Sequence, residues 1–248
     1  MRIILAVLCL LAGIGSAAAA DLKLLTAGAY KPVALELIPE FERRTGHKVT
    51  VENATAGALQ KRIADGEYFD VVVLPPLVLG PFLGGRVVES SAKALARVGI
   101  GVGIKQGAPV PDISDVEAFK KTLLAARAIA YTDPASGGTA GTYLAHLFEK
   151  LGIAAELKPK TVLVKGGYSA EKVASGEAEI ALQPTSELLA VPGTTLVGPI
   201  PLEVQHYIAY SGGVSAASRN PVAAEALLLM LADPSNLPLL KKKGMDEP

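Results

Sequence analysis

The sequence is poor in the residues that carry most metal and covalent chemistry: its 248 residues include one cysteine, Cys9, and three histidines, His47, His146 and His206. Cys9 lies in an apolar run, Ile3 to Ile14, that follows Met1-Arg2 and precedes Gly15-Ser16-Ala17-Ala18-Ala19-Ala20. A positive start, a short apolar middle and a small-residue end describe an export signal, residues 1–20, cleaved before Asp21 and too short to span a bilayer. Leu8, not a small residue, precedes Cys9, which argues against a lipid anchor there. The exported chain of 248 − 20 = 228 residues then holds no thiol, which excludes disulfides, thiolate metal ligands and a cysteine nucleophile. The histidines have no metal-ligand spacing, so neither a metal nor a cofactor is expected. The chain also lacks the G-x-S-x-G elbow, the Gly-Lys-Ser/Thr ending of a P-loop and the G-x-G-x-x-G fingerprint.

An excess of charge of either sign is missing too. The chain has 24 Lys+Arg against 24 Asp+Glu, and loss of Arg2 with the leader leaves 23 against 24. This balance gives no electrostatic footprint for nucleic acid or a membrane surface. After the leader, no apolar run is long enough for a membrane helix.

What the chain does contain is one tripeptide used three times: Thr26-Ala27-Gly28, Thr55-Ala56-Gly57 and Thr139-Ala140-Gly141. Each follows a strand-like run and precedes a helix-like pattern. Small residues at such turns leave backbone N–H groups uncovered, and the first turn of a helix adds unsatisfied donors and the positive end of its dipole. Three such turns facing one point, with Ser136-Gly137-Gly138 beside the third, would form a receptor for an anion.

Strand-like and helix-like segments alternate throughout, which predicts an α/β fold with a largely parallel sheet. Strands are expected at Leu22–Leu25, Val49–Val51, Asp70–Leu74, Val98–Ile104, Ile129–Thr132, Thr161–Val164, Ile180–Leu182 and Thr195–Val197. Helices are expected from Pro32 to Arg44 with a kink at Pro39, from Ala58 to Ala64, from Thr139 to Leu151, and from Pro221 to Leu231 capped by Asn220. Ser114-Asp115-Val116-Glu117 reads as a capping box opening another helix. A last short helix ends at Lys241-Lys242-Lys243-Gly244.

Several stretches carry a resemblance to a known family. Leu25 to Pro32, Phe41-Glu42-Arg43-Arg44-Thr45-Gly46, ATAGALQKRIADGEYFD from Ala54 to Asp70, and Asp133 to Tyr143 resemble the ligand loops and helix starts of periplasmic molybdate-binding proteins of ABC importers. That resemblance implies the two-lobed type II periplasmic binding fold, each lobe a mostly parallel sheet flanked by helices, with two hinge crossings. It places lobe 1 at residues 21–103 plus 202–248 and lobe 2 at 104–201. Ligand-binding positions carried over on these motifs are Gly28, Ala29, Tyr30, Thr55, Ala56, Gly57, Ser136, Gly137, Gly138, Thr139, Ala140, Gly141 and Gln183. The chain departs from the family where Ala29 and Ala56-Gly57 replace serine hydroxyls and where Gln183 stands at a tyrosine position.

Two functions follow from the resemblance. One is a monomeric periplasmic receptor that captures a small oxyanion or organic polycarboxylate and delivers it to an ABC permease. The other is an exported isomerase of an unsaturated tricarboxylate, as in aconitate isomerase, which resembles the same family; loss of the serine hydroxyls suits a larger, carboxylate-bearing ligand. That chemistry needs a base within hydrogen-bond reach, with Tyr30, Lys31 and His206 as candidates. His47 and His146 read as surface residues.

Overall fold

The structure, a computed structural model, describes residues 19–248; the greater part of the expected leader, Cys9 included, lies outside the described residues. From the N-terminus, β1 (Asp21–Ala27) leads into α1 (Lys31–Thr45), β2 (Lys48–Ala54) into α2 (Ala56–Ala64), and β3 (Val71–Leu74) into α3 (Pro76–Leu79). A long β4 (Lys93–Lys105) precedes α4 (Val116–Ala125), β5 (Ile129–Thr132), α5 (Thr139–Lys150) and α6 (Ala154–Leu157). Then come β6 (Thr161–Val164), α7 (Ala170–Ser175), β7 (Ile180–Pro184), α8 (Thr185–Leu189), β8 (Thr194–Pro199), β9 (Tyr207–Val214), α9 (Pro221–Leu231) and α10 (Leu237–Lys242).

The strands lie in the order β2-β1-β3-β9-β4-β7-β5-β6, with β8 paired to β4. At either end the ladders are parallel, β2-β1-β3 and β6-β5-β7, as expected of strands joined through helices. In the middle, β9, β4 and β8 add antiparallel pairs, so the sheet is mixed. Every residue of β3 is buried, which accounts for its uninterrupted hydrophobicity.

β4 ties the two ends together. Its first part, Lys93 to Gly99, pairs with β9, and its second part, from Ile100 to Lys105, pairs with β7 and β8. The change of partner falls inside the Val98–Ile104 run, and the chain returns through Ile200-Pro201 to β9. The alternating glycines of β4 have a packing cause: a methyl on Gly101 would meet Thr185 Cγ2 at 2.7 Å, and one on Gly103 would meet Leu188 Cδ2 at 2.5 Å. The short helix α8 therefore lies directly on the strand, and only hydrogen at those positions lets it approach so closely.

Two local expectations change. The α4 N-cap is Asp115, not Ser114: its carboxylate accepts from the Ala118 N–H at 2.8 Å with an extended backbone. Asn220 precedes Pro221 without a side-chain cap bond, its own N–H donating to Ser218 Oγ at 3.2 Å. As expected, α1 contains Pro39, on the exposed face, and stops at Gly46, whose φ of 76° is the left-handed ending glycine accommodates.

Candidate functional site

The C-terminal ends of β1, β2, β5 and β7 open on one cavity of about 330 Å³. Each Thr-Ala-Gly turn contributes to it: Ala27 and Gly28 after β1, Thr55 and Ala56 after β2, Thr139 and Ala140 at the start of α5. Ser136 and Gly138 line it from the turn before α5, and Asn53, Thr132 and the loop Lys165-Gly166-Gly167-Tyr168 complete the polar wall. Strand ends that feed helices in this way aim helix N-termini at a shared space.

The starts of α5 and α2 differ in the donors they leave free. The N-cap of α5 is Gly138, which has no side chain to satisfy the first-turn N–H groups, so the positive end of this twelve-residue helix faces the cavity. At α2 the Thr55 hydroxyl accepts from the Ala58 N–H at 3.2 Å and itself donates to the Ser136 carbonyl. Lys165, on an exposed stretch of loop, is the one cationic side chain among the lining residues.

Eight of the expected site residues lie behind the wall or away from it. Tyr30 is fully buried and donates its hydroxyl to the Leu231 carbonyl at 2.9 Å, a core bond that leaves it nothing for a ligand. Burial also raises its phenol above the usual range, so it is no base near neutrality. Ala29 is buried, its carbonyl accepting from Ser186 Oγ at 2.8 Å. The Lys31 ammonium sits 5.9 Å from the Tyr168 ring centroid rather than in the cavity. His206 stacks on Tyr143 with ring centroids 4.5 Å apart, and burial lowers its pKa, so it is a neutral packing group. Gly57 and Gly137 bond to each other, amide to carbonyl, at 3.0 Å. Gly141 presses on the Thr132 carbonyl where no side chain would fit. Gln183 is buried behind Glu187.

Glu187 is the residue that sequence reasoning missed. It lies in the cavity wall on α8, almost wholly buried, and its Oε2 accepts from Gln183 Nε2 at 2.7 Å. Burial pushes its carboxyl up to about 7, against the Gln183 donor, which lowers it. Its Oε1 faces Gly28 so closely that a methyl there would lie 2.6 Å away. Tyr168 and Tyr210 line the same cavity as neutral phenols, raised above their usual range by burial and by the nearby Glu187 charge. The signal available in the sequence was a fourth strand-to-helix turn, Pro184-Thr185-Ser186-Glu187, after the apolar run Ile180–Leu182.

The arrangement offers backbone and hydroxyl donors plus one cation on one side, and a carboxyl able to gain or lose a proton near neutrality on the other. Among the described residues no group of three or more His, Cys, Asp or Glu is placed to hold a metal.

Residues 22–246 match the family model of the bacterial extracellular solute-binding proteins. The chain belongs to that family. An aconitate isomerase of a Pseudomonas species is 35% identical to it over 231 residues, 90% of this chain and 87% of that one. The Azotobacter vinelandii periplasmic molybdate-binding protein shares the fold with a TM-score of 0.73 at 21% identity, covering 92% of this chain and 99% of its own. A sulfate-binding protein of Mycobacterium tuberculosis has a TM-score of 0.72 at 16% identity, covering 92% and 87%. A solute-binding protein of this extracellular family works outside the cytoplasm.

Proposed function

We propose that this protein is an exported isomerase that binds an unsaturated tricarboxylate in the cavity and moves its double bond, with Glu187 as the proton-transfer group. The observation that carries the reading is a carboxyl buried in the wall of a pocket otherwise built to attract anions, where desolvation pushes it up to about 7. A receptor for an oxyanion gains nothing from a second negative group; a carbon acid next to carboxylates needs a base held there. The α5 N-terminus, Lys165 and the Thr139 hydroxyl would hold the carboxylates and stabilise the charge that develops on them as the proton leaves. Moving the double bond removes one proton from the methylene carbon and returns one to the former vinylic carbon, so atoms and charge balance without a cofactor. The relative at 35% identity supports the same chemistry.

The family and the fold favour a second reading, a receptor that hands its anion to an ABC permease. Both readings share a periplasmic monomer whose leader, residues 1–20, is cleaved. Both also share two lobes, 21–103 with 202–248 and 104–201, that close about β4 and the Ile200-Pro201 return. Incubating purified protein with trans-aconitate and following cis-aconitate by chromatography separates them. Interconversion that Glu187→Gln abolishes supports the isomerase. Thermal stabilisation by the aconitates without interconversion supports the receptor, because a ligand bound only to the native state raises stability whatever its fate.

A further inference from the structure

Gln183 is buried at the end of β7 and cannot present either face of its amide at will. Its Oε1 accepts from the Ala170 backbone N–H at 2.6 Å and from the Ser169 hydroxyl at 2.6 Å. A backbone N–H can only donate, so the carbonyl side of the amide must face α7 and the amino side must face Glu187. An amino group can only donate in turn. Glu187 Oε2, 2.7 Å from Gln183 Nε2, is therefore held as an acceptor in both protonation states. The other oxygen, Oε1, is directed at Gly28, which lines the cavity.

We infer that Gln183, anchored by Ser169 and Ala170, is a positioning residue that keeps the exchangeable proton of Glu187 on Oε1, the oxygen turned toward Gly28 and the cavity. The inference rests on the proton-transfer reading above and names the device that directs the proton to the ligand. The other groups facing Glu187 do not compete. Tyr168 and Tyr210 present neutral hydroxyls, and the Ser186 hydroxyl is committed to the Ala29 carbonyl at 2.8 Å. Lys165 lines the same cavity from the loop before Tyr168, but the Glu187 carboxyl is set by burial and by the Gln183 bond. Gly28 has no side chain to stand between Oε1 and a ligand.

Carbon-13 NMR of labelled glutamate side chains, read across pH in the whole mature protein, tests this without depending on turnover. Replacing the amide in Gln183→Leu removes the donor that stabilises the carboxylate, so the Glu187 midpoint rises by about one pH unit. Ser169→Ala, which loosens the anchor and leaves the Ala170 N–H in place, raises it by less. In the wild type the Gln183 side-chain amide protons stay hydrogen-bonded on both sides of the midpoint, because Oε2 never takes the proton. An unmoved midpoint in Gln183→Leu, or in Ser169→Ala if the first variant does not fold, overturns the assignment; so does loss of the Gln183 hydrogen bond on acidification. The isomerase reading has its own separate failure, absence of turnover in a wild type whose Glu187 titrates as described. Where turnover is present, kcat of Gln183→Leu falls about tenfold or more, the acid limb of its pH profile moves with the NMR midpoint, and KM stays within about twofold.

Discussion

The backbone amide of Gly57 donates to the carbonyl of Gly137 at 3.0 Å, and each glycine fills the space a side chain on the other would need. A methyl on Gly57 would stand 2.8 Å from the Gly137 Cα, and one on Gly137 would stand 2.7 Å from the Gly57 Cα. The bond joins the turn after β2 to the turn before α5, and the Thr55 hydroxyl crosses the same gap to the Ser136 carbonyl. Together they hold two walls of the cavity against each other.

Gly57→Ala is accordingly expected to push those walls apart. The substitution favours helix α2 itself, since alanine is a better helix residue than glycine by about 1 kcal/mol. Loss of function would then come from the opened gap and not from the helix. We expect trans-aconitate affinity to fall about tenfold, roughly 1.4 kcal/mol by isothermal calorimetry, with the melting temperature of the free protein little changed.

Glu187 predicts a pH dependence of stability. Its pKa in the folded protein, about 7, lies above the ordinary 4.5, so the native state holds the proton more tightly than the unfolded chain does. Its contribution is fully present below about pH 4.5 and is lost as pH rises through about 7. Removing the titration in Glu187→Gln should flatten this part of the curve, a difference of up to about 3 kcal/mol between pH 4 and pH 8 in denaturant melts. Parallel curves for the two proteins would contradict the burial argument.

Lys165 lies on an exposed loop, so its removal should leave the fold alone. Lys165→Ala is expected to weaken binding of a tricarboxylate about fivefold, close to 1 kcal/mol, with the difference shrinking as salt is added because an exposed charge is screened. Titrations at low and high ionic strength read both effects.

Tyr30→Phe tests the structural role assigned to that residue. Deleting this buried hydroxyl leaves the Leu231 carbonyl with only the longer bond from Asn236 Nδ2 at 3.4 Å and should cost about 1 kcal/mol of unfolding free energy. Turnover at a temperature where the variant is folded should match the wild type. A large drop in kcat with stability intact would place Tyr30 in the chemistry.

Much of this architecture is legible in the sequence. Ile129–Thr132 and Thr161–Val164 are strands at the expected bounds, because apolar residues bounded by turn formers leave few alternatives at that length. The three Thr-Ala-Gly turns reach one cavity because parallel strands feeding helices all release their chains at the same edge of the sheet. The less visible parts depend on long-range packing. Tyr30 sits beside a cavity-lining glycine in sequence, and only the position of α9 decides that its hydroxyl turns to Leu231 instead. Glu187 belongs to a five-residue helix whose sequence, Thr185-Ser186-Glu187-Leu188-Leu189, shows no mark of its burial. That burial follows from the glycine stripe of β4, far away in the chain, which draws α8 onto the sheet.

The most direct measurement is a crystal structure of the mature protein with trans-aconitate. The account predicts carboxylate groups of the ligand at the N-terminus of α5 and near Lys165, with its methylene carbon within reach of Glu187 Oε1 in front of Gly28. Ligand density elsewhere, with this cavity holding only solvent, would contradict it.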